Sequence, residues 1–420
     1  TGAGVIIDPA GLVLTQYLAV RPGDEHTVTT TTGRTYAAEI KAADPRSGLA
    51  VLAVSPQASS LRRAGRPQSP SDFPALPLGD AAQLRKGRFI IVIGDPYAIR
   101  SDGQPTASWG TVTNLARKAP SGTNLNDTPG PVGDYRTTYH HLGTLLQTDA
   151  KLGWSAGGGA VVNLRGELVG LTTTVASIPG HEQPAGYAIP IDNTTHRIID
   201  ALRQGREVEY GLLGVSFRSP DLPLDSTRTT KASDGVTIQQ VYPGSPAARA
   251  GLEPNDVVTQ VVGKPVSNVD GIQLAVSTLP RGEPIVVNYR RDDRPATATV
   301  RLAKLSVPGD KVVTDRPPAW RGMRIDYSTA LDTPALTERL ASGAIDPAGC
   351  VLVAEVDEGS VAWRAGVRPG MFISPVGGTP VTTPNEFQAA VANDPQGVII
   401  RLTQPVRLPD QREQTDLKIP

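Results

Sequence analysis

Cysteine is nearly missing from this chain: Cys350 is the single one in 420 residues. That excludes an intramolecular disulfide framework and any cysteine-based metal site. The lone thiol reads as a small packing residue at the start of a buried strand. Net charge is missing as well, with 41 Lys+Arg against 41 Asp+Glu. The balance removes the electrostatic case for nucleic acid or a polybasic membrane contact. No apolar run approaches the roughly 18 residues of a spanning helix. The five histidines have no metal-ligand spacing, so no metal and no cofactor is expected. No signal peptide is visible, and Thr1-Gly2-Ala3-Gly4 leads straight into a strand, which suggests that an upstream segment has been removed.

Glycine and proline are plentiful, at 43 and 38 residues, and short Val- and Thr-rich runs lie between them. That pattern points to many strands joined by turns. The length exceeds what one core supports and predicts two to four domains. Through residue 190 the chain reads as β: Val5-Ile6-Ile7, Leu12-Val13-Leu14, Leu49-Ala50-Val51-Leu52 and Phe89-Ile90-Ile91-Val92-Ile93 are apolar runs bounded by Gly, Pro and Asp. The spacing suits antiparallel barrels. Ser55 to Gly79 reads as a crossover between half-domains, and Arg117 to Tyr135 as a polar loop insert. Asp192 or Asn193 can cap a helix through His196, Ile198, Ile199 and Leu202 that stops at Gly205. His196 is assigned packing only; His140, His141, His26 and His181 read as solvated loop or turn residues.

The second half contains a repeat. Ser245-Pro246-Ala247-Ala248-Arg249-Ala250-Gly251-Leu252 returns as Ser360-Val361-Ala362-Trp363-Arg364-Ala365-Gly366-Val367. Each copy reads as a short helix with a serine N-cap and a glycine just past its end. Each follows a strand that opens on glycine (Gly235 and Gly349) and precedes a longer helix, near Ile272–Leu279 and Phe387–Ala392.

These repeats resemble PDZ domains of the bacterial HtrA type. Such domains bind an extended peptide by strand addition, with backbone N–H groups of an apolar-Gly-apolar turn holding the terminal carboxylate. Leu213-Gly214-Val215 matches that turn in the first copy; Gly322-Met323, after Arg321, matches it in the second. Leu274, Val276, Phe387 and Val391 are expected to face the peptide. The turns after the short helices, Pro254-Asn255-Asp256 and Pro369-Gly370-Met371, depart from the usual Gly-Asp.

The first 190 residues resemble the trypsin-like protease domain of the HtrA/Deg family. The landmarks are Gly4-Val5-Ile6-Ile7-Asp8-Pro9 with Gly11-Leu12-Val13-Leu14-Thr15, Asp44-Pro45-Arg46-Ser47-Gly48-Leu49, Gly94-Asp95-Pro96-Tyr97, Ser108-Trp109-Gly110, Gln147-Thr148-Asp149-Ala150 and Gly186-Tyr187-Ala188. The resemblance implies a mainly β chain, a double barrel followed by two tandem PDZ domains. The expected boundaries are 1–207, 208–305 and 318–418.

At the three positions where the family carries His, Asp and Ser, this chain has Leu18, Gly48 and Gly157. Acyl transfer by this fold uses all three side chains, so the expectation is a pseudoprotease, not an enzyme. Gly157, Gly158 and Gly159 are expected to keep an oxyanion-like turn of backbone amides. Ser155, in Gly153-Trp154-Ser155-Ala156-Gly157, formally matches a nucleophile elbow, without the downstream context that motif needs. The resemblance further implies a periplasmic or other extracytoplasmic location, C-terminal or unfolded peptides as partners, and assembly as a homo- or hetero-trimer, an active relative included. Two alternatives stand beside it: an active serine endopeptidase degrading misfolded proteins, and a purely structural assembly module.

Overall fold

The computed structural model describes residues 2–20, 23–55, 73–94, 105–118, 138–150, 157–173, 186–218, 235–331, 336, 338–339, 349–392, 397–407 and 413–420. Ser155, His181 and most of the polar insert lie outside them. The chain divides into two units, one of residues 1–208 with 308–316, the other of 209–307 with 317–420.

In the first unit, an antiparallel sheet runs Gly4–Asp8, Leu12–Gln16, Leu49–Val54, Thr35–Asp44, with His26–Thr29 on the last of these. Val13, Ala38, Ala43, Ala50, Leu52 and Val54 pack with Val20, Tyr36 and Phe73. The next six strands close a barrel: Leu168–Thr172, Gly186–Pro190, Leu145–Thr148, Thr106–Arg117, Phe89–Gly94 and Ala160–Val162. Along Phe89–Gly94 the two-residue period buries Ile90 and Val92 and leaves Phe89 and Ile93 outside. The helix Asn193–Arg203 follows, its cap the Asp192 carboxylate, which accepts from Thr195 N at 2.9 Å. Ile198, Ile199 and Leu202 form its buried face.

Residues 308–316, expected as a linker between the repeats, are part of this unit. Val312–Val313 pairs with Ala43 and Ala42 as a further strand of the first sheet. Thr314 N and Asp315 N donate to Gly205 O at 3.0 and 2.9 Å, and Lys311 pairs with Glu207 at 2.9 Å. A Cβ on Gly205 would fall 2.3 Å from Thr314 Oγ1. Gly205 therefore both ends the helix, at φ +75°, and seats this segment.

The second unit repeats one plan. The first copy orders its strands Val215–Phe217, Val236–Val241, Val257–Val261, Pro284–Arg291, Arg294–Arg301; the second, Met323–Tyr327, Val351–Val356, Phe372–Val376, Val398–Arg407, Glu413–Ile419. Both short helices appear, with Ser245 accepting from Ala248 N and Ser360 from Trp363 N, each at 3.2 Å. The longer helices are Val269–Ser277 and Pro384–Ala392. Each copy has its own core. A third cluster draws on both: Leu336, Cys350, Leu352 and Phe372 of the second copy pack with Leu212 and Tyr242 of the first. Cys350 is buried there, just ahead of its strand.

Candidate functional sites

Leu18 sits in the 3-10 turn Tyr17–Ala19 that follows the strand Leu12–Gln16, and it is 56% exposed. Gly48 adopts φ +68°, and its carbonyl accepts from Tyr17 N at 2.8 Å. A Cβ at Gly48 would meet only Ile189 at 3.7 Å and the His140 ring at 4.0 Å. The fold thus brings the two loops together and leaves open space beside Gly48, though its left-handed backbone disfavours any side chain there.

The expected amide turn is committed elsewhere. Gly158 N donates to Thr172 O and Gly159 N to Thr172 Oγ1, both at 2.8 Å. Gly157 O accepts from Ala3 N at 3.0 Å. A Cβ on Gly158 would lie 2.1 Å from Ala3 O, so the glycine stretch is explained by close strand packing. This corrects the oxyanion-like reading for Gly158 and Gly159: their N–H groups are satisfied within the barrel.

His140 is a second correction. It is buried, not solvated. The 3-10 turn Tyr139–Leu142 lays its ring on the loop Asp44–Gly48: Nε2–H donates to Ser47 O at 2.8 Å, and Thr144 Oγ1 donates to Nδ1 at 2.7 Å. The ring is held neutral, and burial pulls its pKa down to about 4. No periodic signal in the sequence marks this residue, because its partners are main-chain and hydroxyl groups. His26 opens the strand His26–Thr29 and is not in a turn. His196 bonds Gly79 O through Nε2 at 2.8 Å, a packing role. Asp149 is tied to the neighbouring strand by Thr111, whose backbone N–H holds the carboxyl below the usual range.

The two PDZ-like turns share a frame. In the first, Ala247 N donates to Leu213 O at 3.0 Å and Tyr242 N to Gly214 O at 3.1 Å. In the second, Ala362 N donates to Arg321 O at 3.1 Å and Asp357 N to Gly322 O at 2.7 Å. Both glycines have positive φ, +78° and +85°. A Cβ on either would strike the capping serine of the short helix, at 2.4 Å from Ser245 Cβ and 2.2 Å from Ser360 Cβ. This is where glycine is required.

The frames then diverge. In the second turn Met323 N donates to Trp320 O and Trp320 N to Met323 O, both at 2.9 Å. Arg321 joins Gly322 at positive φ, +53°, so Trp320 to Met323 closes on itself like a tight hairpin turn. The Trp320 ring stands edge-on to Phe387 with centroids 5.9 Å apart. In the first copy the matching residue, Leu212, pairs instead with Ala303 in a separate ribbon, Gly211–Leu212 against Ala303–Lys304.

Of the residues expected to face a peptide, Val276, Phe387 and Val391 belong to the cores. Residues four apart share a helix face, and Ile272 with Val276, like Phe387 with Val391, takes the inner one. Leu274 alone of the four is only half-buried.

Comparison with known proteins fits this architecture. Residues 2–171 match the family described as trypsin-like peptidase domain, and residues 211–302 and 352–404 match PDZ domain families. Periplasmic serine endoprotease DegP of Salmonella typhimurium is 30% identical over 73% of this chain, which spans 57% of that protein's length. A probable periplasmic serine endoprotease DegP-like of Chlamydia trachomatis is 28% identical over 96% of this chain and 72% of its own. The periplasmic pH-dependent serine endoprotease DegQ of Escherichia coli is 26% identical over 96% and 77%. In fold, the chain is similar to the HtrA-type protease AlgW with decapeptide, at TM-score 0.51 and 24% identity over 76% of this chain and 83% of that one.

The chain is a trypsin-like protease domain followed by two PDZ domains. In sequence it is similar to DegP and DegQ endoproteases that are periplasmic, and its place is outside the cytoplasm. Among the described residues no helix is long and apolar enough to cross a membrane.

The relatives overturn one expectation. Chains 26–30% identical over 73–96% of this one are named serine endoproteases, so the reading of the chain as no enzyme does not stand. That reading rested on three positions assigned by spacing, and residues 151–156, with Ser155 among them, lie outside the described residues.

Proposed function

We propose that this protein captures extended polypeptide C-termini outside the cytoplasm through its first PDZ domain, in the service of the endoproteolysis for which its relatives are named. The observation behind it is the turn Leu213-Gly214-Val215. Its carbonyls are tied back to Ala247 and Tyr242, and Gly214, at φ +78°, lets the turn close against Ser245 of the short helix. Leu213, Gly214, Val215 and Leu274 are the peptide-contacting residues in this reading. Backbone N–H groups holding a carboxylate make charge-assisted bonds of roughly 1.5–3 kcal/mol.

The test is fluorescence anisotropy with one peptide carrying either a free or an amidated C-terminus. The free acid should bind about tenfold or more tightly; equal affinities would contradict carboxylate capture.

The endoprotease part rests on the relatives. Leu18, Gly48 and Gly157 offer no base, acid or nucleophile, so cleavage would use other groups, and Ser155 is the sequence's candidate nucleophile. The reading predicts that the chain cuts unfolded casein and takes a fluorophosphonate label, both lost in Ser155→Ala. A chain that neither cuts nor labels contradicts it.

A further inference from the structure

The second PDZ domain has its groove elements engaged within the chain, and they are engaged in three places. Its carboxylate turn is closed between Trp320 and Met323. Trp320 covers Phe387 at the start of the long helix. The far end of the strand Met323–Tyr327, the strand a peptide would join, is held by the first domain. Lys304 Nζ sits 2.9 and 2.7 Å from the Asp326 carboxylate oxygens, and Arg281 lies 3.8 Å over the Tyr327 ring while pairing with Glu209 at 2.7 Å.

The Lys304 contact belongs to one small element of the first domain. The ribbon Gly211–Leu212 with Ala303–Lys304 carries Lys304, whose side chain is 4% exposed. Lys304 O also accepts from Thr329 Oγ1 at 2.7 Å. On the ribbon's other strand, Leu212 packs with Tyr242 against Leu336, Cys350, Leu352 and Phe372 of the second domain. Leu212 immediately precedes Leu213-Gly214-Val215, and Tyr242 N is the donor that fixes Gly214 O. Two of the residues that position the first carboxylate turn, Leu212 and Tyr242, therefore rest on the second domain, while Ala247 holds it from within the first.

We propose that the second PDZ domain takes no peptide and is instead the positioning element of the first groove, with Asp326 as its principal positioning residue. This rests on the peptide-capture reading above. Asp326 holds Lys304, Lys304 anchors the ribbon, and the ribbon sets Leu212 at the entrance of the turn. Removing the anchor frees the turn to sample other conformations, and only the fraction in the binding-competent one holds a carboxylate.

The experiment measures, on the full chain, the ratio of affinities for a free-acid and an amidated hexapeptide, in Asp326→Ala and Asp326→Glu. Asp326→Ala should lower that ratio about fivefold, at the low end of intramolecular coupling. Asp326→Glu should restore it, and affinity for the amide should stay unchanged in both. Arg281→Ala, which leaves the Lys304 pair intact, guards against misfolding of Asp326→Ala and should lower the ratio by a smaller factor. A ratio unchanged in both Asp326→Ala and Arg281→Ala would overturn the proposal while leaving peptide capture in place. A native chain that does not distinguish acid from amide would remove both.

Discussion

The two PDZ copies share strand order, serine caps and the two carbonyl ties of the turn, yet their turns end in different states. The first leaves Leu213-Gly214-Val215 to be held from outside, by the ribbon and by Tyr242. The second closes Trp320 onto Met323. The deciding positions are few. Leu212 is drawn into a strand pair with Ala303, whereas Trp320 finds Phe387 and turns back. Duplication of a fold thus preserves what the core dictates, and a single apolar residue ahead of the glycine changes what the turn can do.

The largest expected effect separates the copies by their glycines. Gly214→Ala and Gly322→Ala each force an alanine into left-handed backbone, about 1–2 kcal/mol of strain, plus a clash with a capping serine. Only Gly214→Ala should abolish acid-dependent peptide binding. Gly322→Ala should change it by less than about twofold, since Gly322 belongs neither to the Asp326–Lys304 pair nor to the cluster around Leu212 and Tyr242. Equal losses in anisotropy titrations would break the comparison.

Acid supplies a control outside both copies. His140, buried neutral, has its pKa lowered from 6.5 to about 4. The unfolded chain therefore takes up this proton first, and stability is intact above pH about 6.5. It falls as the pH drops toward 4, by up to about 3 kcal/mol in the first unit. Urea unfolding across that window should show the slope, and His140→Gln should flatten it.

A buried charge separates the copies next. Asp256, 1% exposed, accepts from Glu253 N at 2.8 Å and pairs with Arg291, also at 2.8 Å; the matching residue of the second copy is Met371, packed on its core. Asp256→Ala should cost about 2–3 kcal/mol in chemical denaturation, because it orphans polar groups. Met371→Leu should cost less than about 1.5 kcal/mol. The smallest effect should be equal in both copies: Ser245→Ala and Ser360→Ala each remove one N-cap, worth about 1 kcal/mol.

Much of this fold is legible in the sequence, because local chemistry set it. The capped helix before Gly205, the paired serine caps and the two glycine turns all follow from residues within a few positions of one another. The inward turn of Val276, Phe387 and Val391 departs from the expectation that they face a peptide: each joins a core instead, on the helix face its four-residue spacing shares with other apolar positions. What escapes reading is long-range. Val312–Val313 looks like linker until Ala42 and Ala43 are beside it. His140 looks solvated until Ser47 and Thr144 enclose it. The closure of the second turn needs Trp320 and Phe387 to meet across 67 positions of chain, which no local pattern encodes.

The most direct test of the account is the number of peptide sites. Calorimetric titration of the full chain with a free-acid hexapeptide should give one site per chain, absent in Gly214→Ala. Two sites of similar affinity, or one that survives Gly214→Ala and vanishes in Gly322→Ala, would contradict it.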